Sequence, residues 1–193
     1  APGAPPKPDR AAMVAAAVVA PTAAVLASLT LLWPSVGAGG HVARRTSAWW
    51  EHASAALARR PAQALVHAAL EVTLTTRVVV EMAPAWNVPA DERGVVVTGP
   101  VALAVLGRSR FFRYEVRRWS GGEIPDRAWA LATIHLEVEP GTAQALLQRV
   151  AEVPPLTWGR APAGTRDMWN SNSLISWLLT GCDLAKEITP PPG

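Results

Sequence analysis

The chain has 193 residues, half of them hydrophobic and only 17% charged, a mix too apolar for a disordered chain and too interrupted for a multi-span membrane protein. The net charge of +3 and pI near 9.7 come mainly from arginines spread as Arg44/Arg45, Arg59/Arg60, Arg108/Arg110 and Arg117/Arg118; this suits anionic lipid headgroups at least as well as nucleic acid, which is not among the expected partners. One cysteine, Cys182, excludes an internal disulfide and a cysteine-built metal site.

Residues 1–10, Pro-rich with Lys7, Asp9 and Arg10, read as an extended lead-in. Residues 11–43 carry no Asp, Glu, Lys or Arg. A membrane span needs about 20 apolar residues, and Ala12 to Trp33 supply them, so 11–36 reads as a transmembrane helix bent at Pro21. A cleaved signal segment and a buried helix are the competing readings; this run is longer than the first and more charge-free than is usual for the second. Past Gly37, Gly39 and Gly40, the segment 37–63 combines Trp49, Trp50, Ala53 and Leu57 with Arg44, Arg45, Arg59 and Arg60. It fits either an interfacial helix or an amphipathic helix packed on a domain. In the first reading Trp33, Trp49, Trp50, Arg44 and Arg45 mark the membrane interface.

From residue 64 the period changes to two. Ala68, Leu70, Val72 and Leu74 alternate with His67, Ala69, Glu71 and Thr73, which predicts a strand. Thr75-Thr76 separates it from a second strand over Arg77 to Met82, and the two form an antiparallel hairpin. Gly94 to Val97, Phe111 to Trp119 and Leu131 to Val138 read as further strands, while Gly99 to Gly107 is apolar but too short to span a bilayer. Pro140-Gly141-Thr142 opens a helix with Ala143, Leu146, Leu147 and Val150 on one face. A last helix over about Ser173 to Thr180 stops at Gly181. The expectation is an α+β domain over 64–185, a mostly antiparallel sheet with packed helices behind a transmembrane anchor, ending in a Pro-rich tail at 186–193.

The sequence lacks GxxxxGK[ST], HExxH and GxSxG, so nothing calls for a cofactor, and His41, His52 and His135 show no metal-ligand spacing. Two polar groups stand out. Asn170-Ser171-Asn172-Ser173 precedes the apolar helix, and Ser and Asn are the residues that cap a helix N-terminus. A hydroxyl there also feels the positive end of the helix dipole, which favours an anionic nucleophile. His67 lies near a strand start with Glu81 on the neighbouring arm, close enough in register for a carboxylate to orient an imidazole. A lone histidine on a half-buried strand is otherwise structural.

At these residues a resemblance appears. The runs His67-Ala-Ala-Leu-Glu-Val, Arg77-Val-Val-Val-Glu, Phe112-Arg-Tyr-Glu-Val-Arg-Arg-Trp119, Ile124-Pro-Asp126, Trp158-Gly-Arg160 and Met168-Trp-Asn-Ser-Asn-Ser-Leu-Ile-Ser-Trp177 resemble an uncharacterised bacterial domain family of unknown function, over about residues 64 to 193. More distantly, the order of a strand-borne His and an Asn-x-Asn helix start is similar to circularly permuted papain-like domains of the NlpC/P60 type. That resemblance implies Ser171 in the place of the nucleophilic cysteine, His67 as the base and Glu81 as its orienting group. The departure is chemical: serine has a far higher pKa than cysteine, so the resemblance implies fold more than activity.

Two functions follow as expectations. One is a non-catalytic, membrane-anchored interaction module, an accessory subunit of a larger membrane complex, for which nine Trp and the apolar N-terminal run argue. The other is a Ser/His hydrolase or acyl-transferase acting on amide or ester bonds of envelope or lipid substrates, which requires Ser171, His67 and Glu81 to meet.

Overall fold

One sheet, made entirely of antiparallel pairs, organises the protein. The computed structural model describes residues 26–36, 59, 61, 65–85, 91–124 and 126–191. Within them the strands are β1 (Ala27–Pro34), β2 (Ala69–Thr73), β3 (Arg77–Pro84), β4 (Val95–Pro100), β5 (Arg113–Ser120) and β6 (Ala130–Val138), and the helices are α1 (Pro140–Arg149) and α2 (Ser171–Thr180). The sheet order is β4-β5-β3-β2-β1-β6. The protein is therefore α+β, with six antiparallel strands and two helices among the described residues.

Period-two alternation sorts the side chains into two faces of unlike chemistry. Leu29, Leu31 and Trp33 of β1, Leu70 and Val72 of β2, Val80 and Met82 of β3, and Tyr114 and Val116 of β5 turn to one side. There they meet Ala143 and Leu146 of α1 and Leu174, Ile175 and Leu178 of α2. α1 crosses β1 and β2, and α2 crosses β2 and β3. Pro140 in its first turn starts α1, where the missing N–H costs no helical bond. Tyr114 anchors the far end of this core: its hydroxyl donates to the Leu156 carbonyl at 2.7 Å and accepts from Trp169 Nε1 at 3.1 Å. Gly99 on the adjacent strand leaves room for its ring, since a Cβ there would stand 2.4 Å from it.

The hairpin read from the sequence is β2–β3, with Leu70 opposite Val80 and Val72 opposite Val78. The expected strands at 94–97, 111–119 and 131–138 correspond to β4, β5 and β6, and α2 begins two residues before the expected Ser173.

The transmembrane reading of 11–36 is corrected over its second half. Residues 27–34 are not helical; they form β1, hydrogen-bonded on both sides, with Leu31 opposite Leu70 of β2 and Ile134 of β6. A strand in the interior of a sheet buries both faces, so its composition becomes nearly continuous in apolar residues, and hydropathy alone cannot tell it from part of a span. Trp33, expected at a membrane interface, is instead buried in the core. The sheet thus draws on residues upstream of position 64. No helix among the described residues is long and apolar enough to cross a membrane. The first half of the run, with Trp49, Trp50, Arg44 and Arg45, lies outside the described residues.

This packing predicts that Leu31→Ala, which empties space in the core on the helix side of β1, lowers the unfolding free energy by about 2–5 kcal/mol in urea titrations. A loss near zero would be inconsistent with Leu31 lying in the core.

Candidate functional site

The Asn-Ser-Asn-Ser run divides its work residue by residue. Asn170 is the N-cap of α2: its side-chain oxygen accepts from the Ser173 N–H at 2.9 Å, and Ser173 Oγ accepts from the Asn170 N–H at 2.7 Å, a reciprocal capping box. Ser171, the first helical residue, is buried. Asn172 ties the helix to the chain entering β2 by donating from Nδ2 to the Val66 carbonyl at 3.1 Å, and its Oδ1 is buried with no partner. Beside it lies a cleft of about 200 Å³ lined by Trp33, Val66, Ala68, Asn172, Ile175 and Leu179, with Ile188, Pro190 and Pro191 from the C-terminal segment along its edge.

The opposite face of the sheet holds the charge. Glu71 of β2, Glu81 of β3 and Glu115 of β5 are all buried there. Buried carboxylates are expensive unless paired, and each is paired. Arg93 grips Glu115 with two hydrogen bonds, 2.7 and 2.8 Å, and Arg117 adds a third at 2.7 Å. Arg117, directly across the ladder from Glu81, also donates to it at 2.8 Å. Arg127 hydrogen-bonds Glu71, and Arg77 stands 3.9 Å from the same oxygen. Burial alone would raise the Glu115 carboxyl, but the hydrogen bonds and charges of Arg93 and Arg117 outweigh it and hold the group below its usual 4.5.

His67 belongs to this charged side. It precedes Ala69 and Glu71 in the alternation, and its Nε2 lies 3.8 Å from Asp126 Oδ2. Asp126 follows Ile124, which packs on Leu32, Ala69 and Val79 of the same face. Burial pushes the imidazole below its ordinary 6.5, with Asp126 and Glu81 partly offsetting the shift. The ring is therefore held neutral, with a carboxylate near one nitrogen, which is the disposition of a general base.

Ser171 heads α2, which packs on the apolar face, while Glu81 is turned to the charged face. Glu81 is engaged by Arg117, and Asp126, which the sequence did not single out, is the carboxylate nearest the imidazole. Cys182 offers no substitute. Burial raises its thiol pKa, Asp183 adds to the rise, and Arg149 only partly opposes it. Among the described residues no group of three His, Cys, Asp or Glu side chains could hold a metal ion.

Sequence reasoning also missed Arg93, Glu115, Arg117 and Arg127 as members of one network. A signal existed in Arg113-Tyr-Glu-Val-Arg117, where basic and acidic residues at i and i+2 share a strand face. It reads equally as a solvated face, and only the partner strands distinguish the two. No protein-family model, no curated protein and no solved structure matches the chain, so its role is argued from this geometry.

The state of His67 has a consequence for stability. The unfolded chain takes up a proton at His67 once pH falls below about 6.5, while the folded protein resists it, so the unfolded state binds more protons in that window. The contribution of the neutral buried ring is complete above 6.5 and shrinks as pH falls toward the lower folded value. The depressed Glu115 acts in a separate window, below about 4.5. We therefore expect His67→Gln to flatten the fall in melting temperature between about pH 6.5 and 5. An unchanged slope would contradict the assignment.

Proposed function

We propose that this protein is a non-catalytic interaction module, working as an accessory subunit of a membrane-associated assembly. The observation that supports the non-catalytic part is how the candidate residues are engaged: Asn170 and Ser173 form a capping box around Ser171, and Glu81 is held by Arg117. Acyl transfer needs nucleophile and base within hydrogen-bond reach, about 3 Å, at an open cleft. Ser171 is buried at a helix start where the Asn170 side chain already takes the Ser173 N–H. Glu71, Glu81 and Glu115 are each engaged by arginines, a pattern of structural ion pairing.

Support for an interaction role comes from what stays uncovered. Trp129 and Leu131 are exposed beside the edge strand β6, and a second set of large apolar side chains projects between β4 and β5. The membrane part of the proposal draws on the surface of the folded domain. The likeness to NlpC/P60-type domains belongs to this proposal as a resemblance of fold, without its chemistry.

An activity-based fluorophosphonate probe tests the reading. We expect no labelling that depends on Ser171, with wild type and Ser171→Ala indistinguishable. Labelling of wild type that disappears in Ser171→Ala would overturn it in favour of a serine hydrolase.

A further inference from the structure

We propose that the connection between β4 and β5 is a docking loop that seats on an anionic lipid bilayer. The proposal deepens the membrane part of the reading above and rests on it. Residues 101–112 place four large apolar side chains in solvent within ten positions: Leu103 is 46% exposed, Val105 66%, Phe111 77% and Phe112 45%. Single exposed hydrophobics are ordinary on a protein surface, whereas a contiguous set marks a surface that another phase or molecule covers.

This loop is held open by its own structure. Its base is closed by the Val101 N–H on the Phe112 carbonyl at 2.8 Å. The segment after α1 braces it: the Ala102 N–H donates to the Trp158 carbonyl at 2.9 Å, and Arg160 Nε donates to the Ala102 carbonyl at 2.7 Å. Ala102 sits at φ +63°, in the left-handed region that a residue with a Cβ rarely enters, and this redirects the chain away from the core. Gly107 lets the loop close on Pro100, for a Cβ there would lie 2.8 Å from the Pro100 ring. The apolar side chains are thus presented on a braced backbone.

Two features select a bilayer over a protein groove as the occupant. The first is backbone satisfaction. The N–H groups of Leu103, Leu106, Ser109 and Phe112 each donate to a carbonyl two or three residues back, and that of Phe111 donates to Ser109 Oγ. A segment entering the lipid interface must satisfy its polar backbone internally, because the acyl region supplies no partner. The second is charge. From Val95 through Tyr114 there is no Asp or Glu, while Arg108, Arg110 and Arg113 fall among the apolar residues. Arg108 is exposed, and Arg113 is steadied by a hydrogen bond to Thr98 Oγ1 at 3.0 Å. Apolar side chains to enter the headgroup boundary, with arginines beside them to meet acidic headgroups, make the composition of an interfacial anchor.

The test is sedimentation of the full chain with vesicles of phosphatidylcholine alone and of phosphatidylcholine mixed with phosphatidylserine. Wild type should sediment with the mixed vesicles and much less with the neutral ones. Val105→Ser/Phe111→Ser should bind the mixed vesicles about ten-fold or more weakly, and Arg108→Gln about five-fold more weakly. Both are surface changes, and thermal melts should match wild type; should the double variant melt early, Val105→Ser alone carries the comparison. If wild type sediments with neither vesicle, the loop and the membrane reading fall together, and a protein groove becomes the occupant. If wild type binds but the double variant binds equally, the loop is refuted while the membrane reading stands. Equal binding to both vesicle types would overturn the role given to the arginines.

Discussion

The fold depends on β1 being held from both sides. Its neighbours are remote in sequence: Leu31 pairs with Leu70 of β2 on one edge and with Ile134 of β6 on the other. Without it, β6 has no partner in the sheet and α1 loses the strand across which it packs. Such a strand must be apolar toward the helices and tolerable toward the other face, and Ala27–Pro34 meets both demands. Leu29, Leu31 and Trp33 face the core, while Thr30 on the other side hydrogen-bonds His135 directly across the ladder at 2.9 Å. The sheet also joins elements more than a hundred residues apart, so its cost in loop closure falls on pairs that only the full chain can form.

That same sheet separates two chemistries. On one side lies an ordinary apolar core. On the other, three buried glutamates are matched by arginines from β3, β5 and the turns beside them. Removing one member of such a set strands its partner in a poorly solvated place, a larger loss than the pair itself contributes. The network therefore reads as a constraint on how β2, β3 and β5 register, and the pairing explains how so much charge can be buried. His67 lies on the same side beside Asp126, and burial lowers its pKa.

How much of this was visible beforehand follows a physical rule. Local signals were legible: the alternation of β2 and β3 around Thr75-Thr76, Pro140 at the start of α1, and Asn170 ahead of α2 all act within a few residues. What depended on distant partners was not. Ala27–Pro34 looked like part of a membrane span because an interior strand and a span share one composition, and the partners that decide between them lie at 69–73 and 130–138. The burial of Glu115 was not legible because Arg93, which neutralises it, comes from a turn ahead of β4. Asp126 beside His67 was not legible for a related reason: order along the chain gives no sign of which side chains meet around a residue. The stretch Gly99 to Gly107 was legible as apolar, but the display of residues 101–112 in solvent depends on distant Trp158 and Arg160, which brace the loop.

The central claim is that the apolar segment Ala27–Pro34 is an interior strand of the sheet. Amide hydrogen exchange in aqueous buffer, without detergent, addresses it most directly. The amides of Leu29 to Leu32 should exchange among the slowest in the protein, opening only with global unfolding, at rates matching those of Leu70 and Val80. Rapid exchange of those amides while β2 and β3 stay protected, or protection that arises only when detergent is added, would contradict the account.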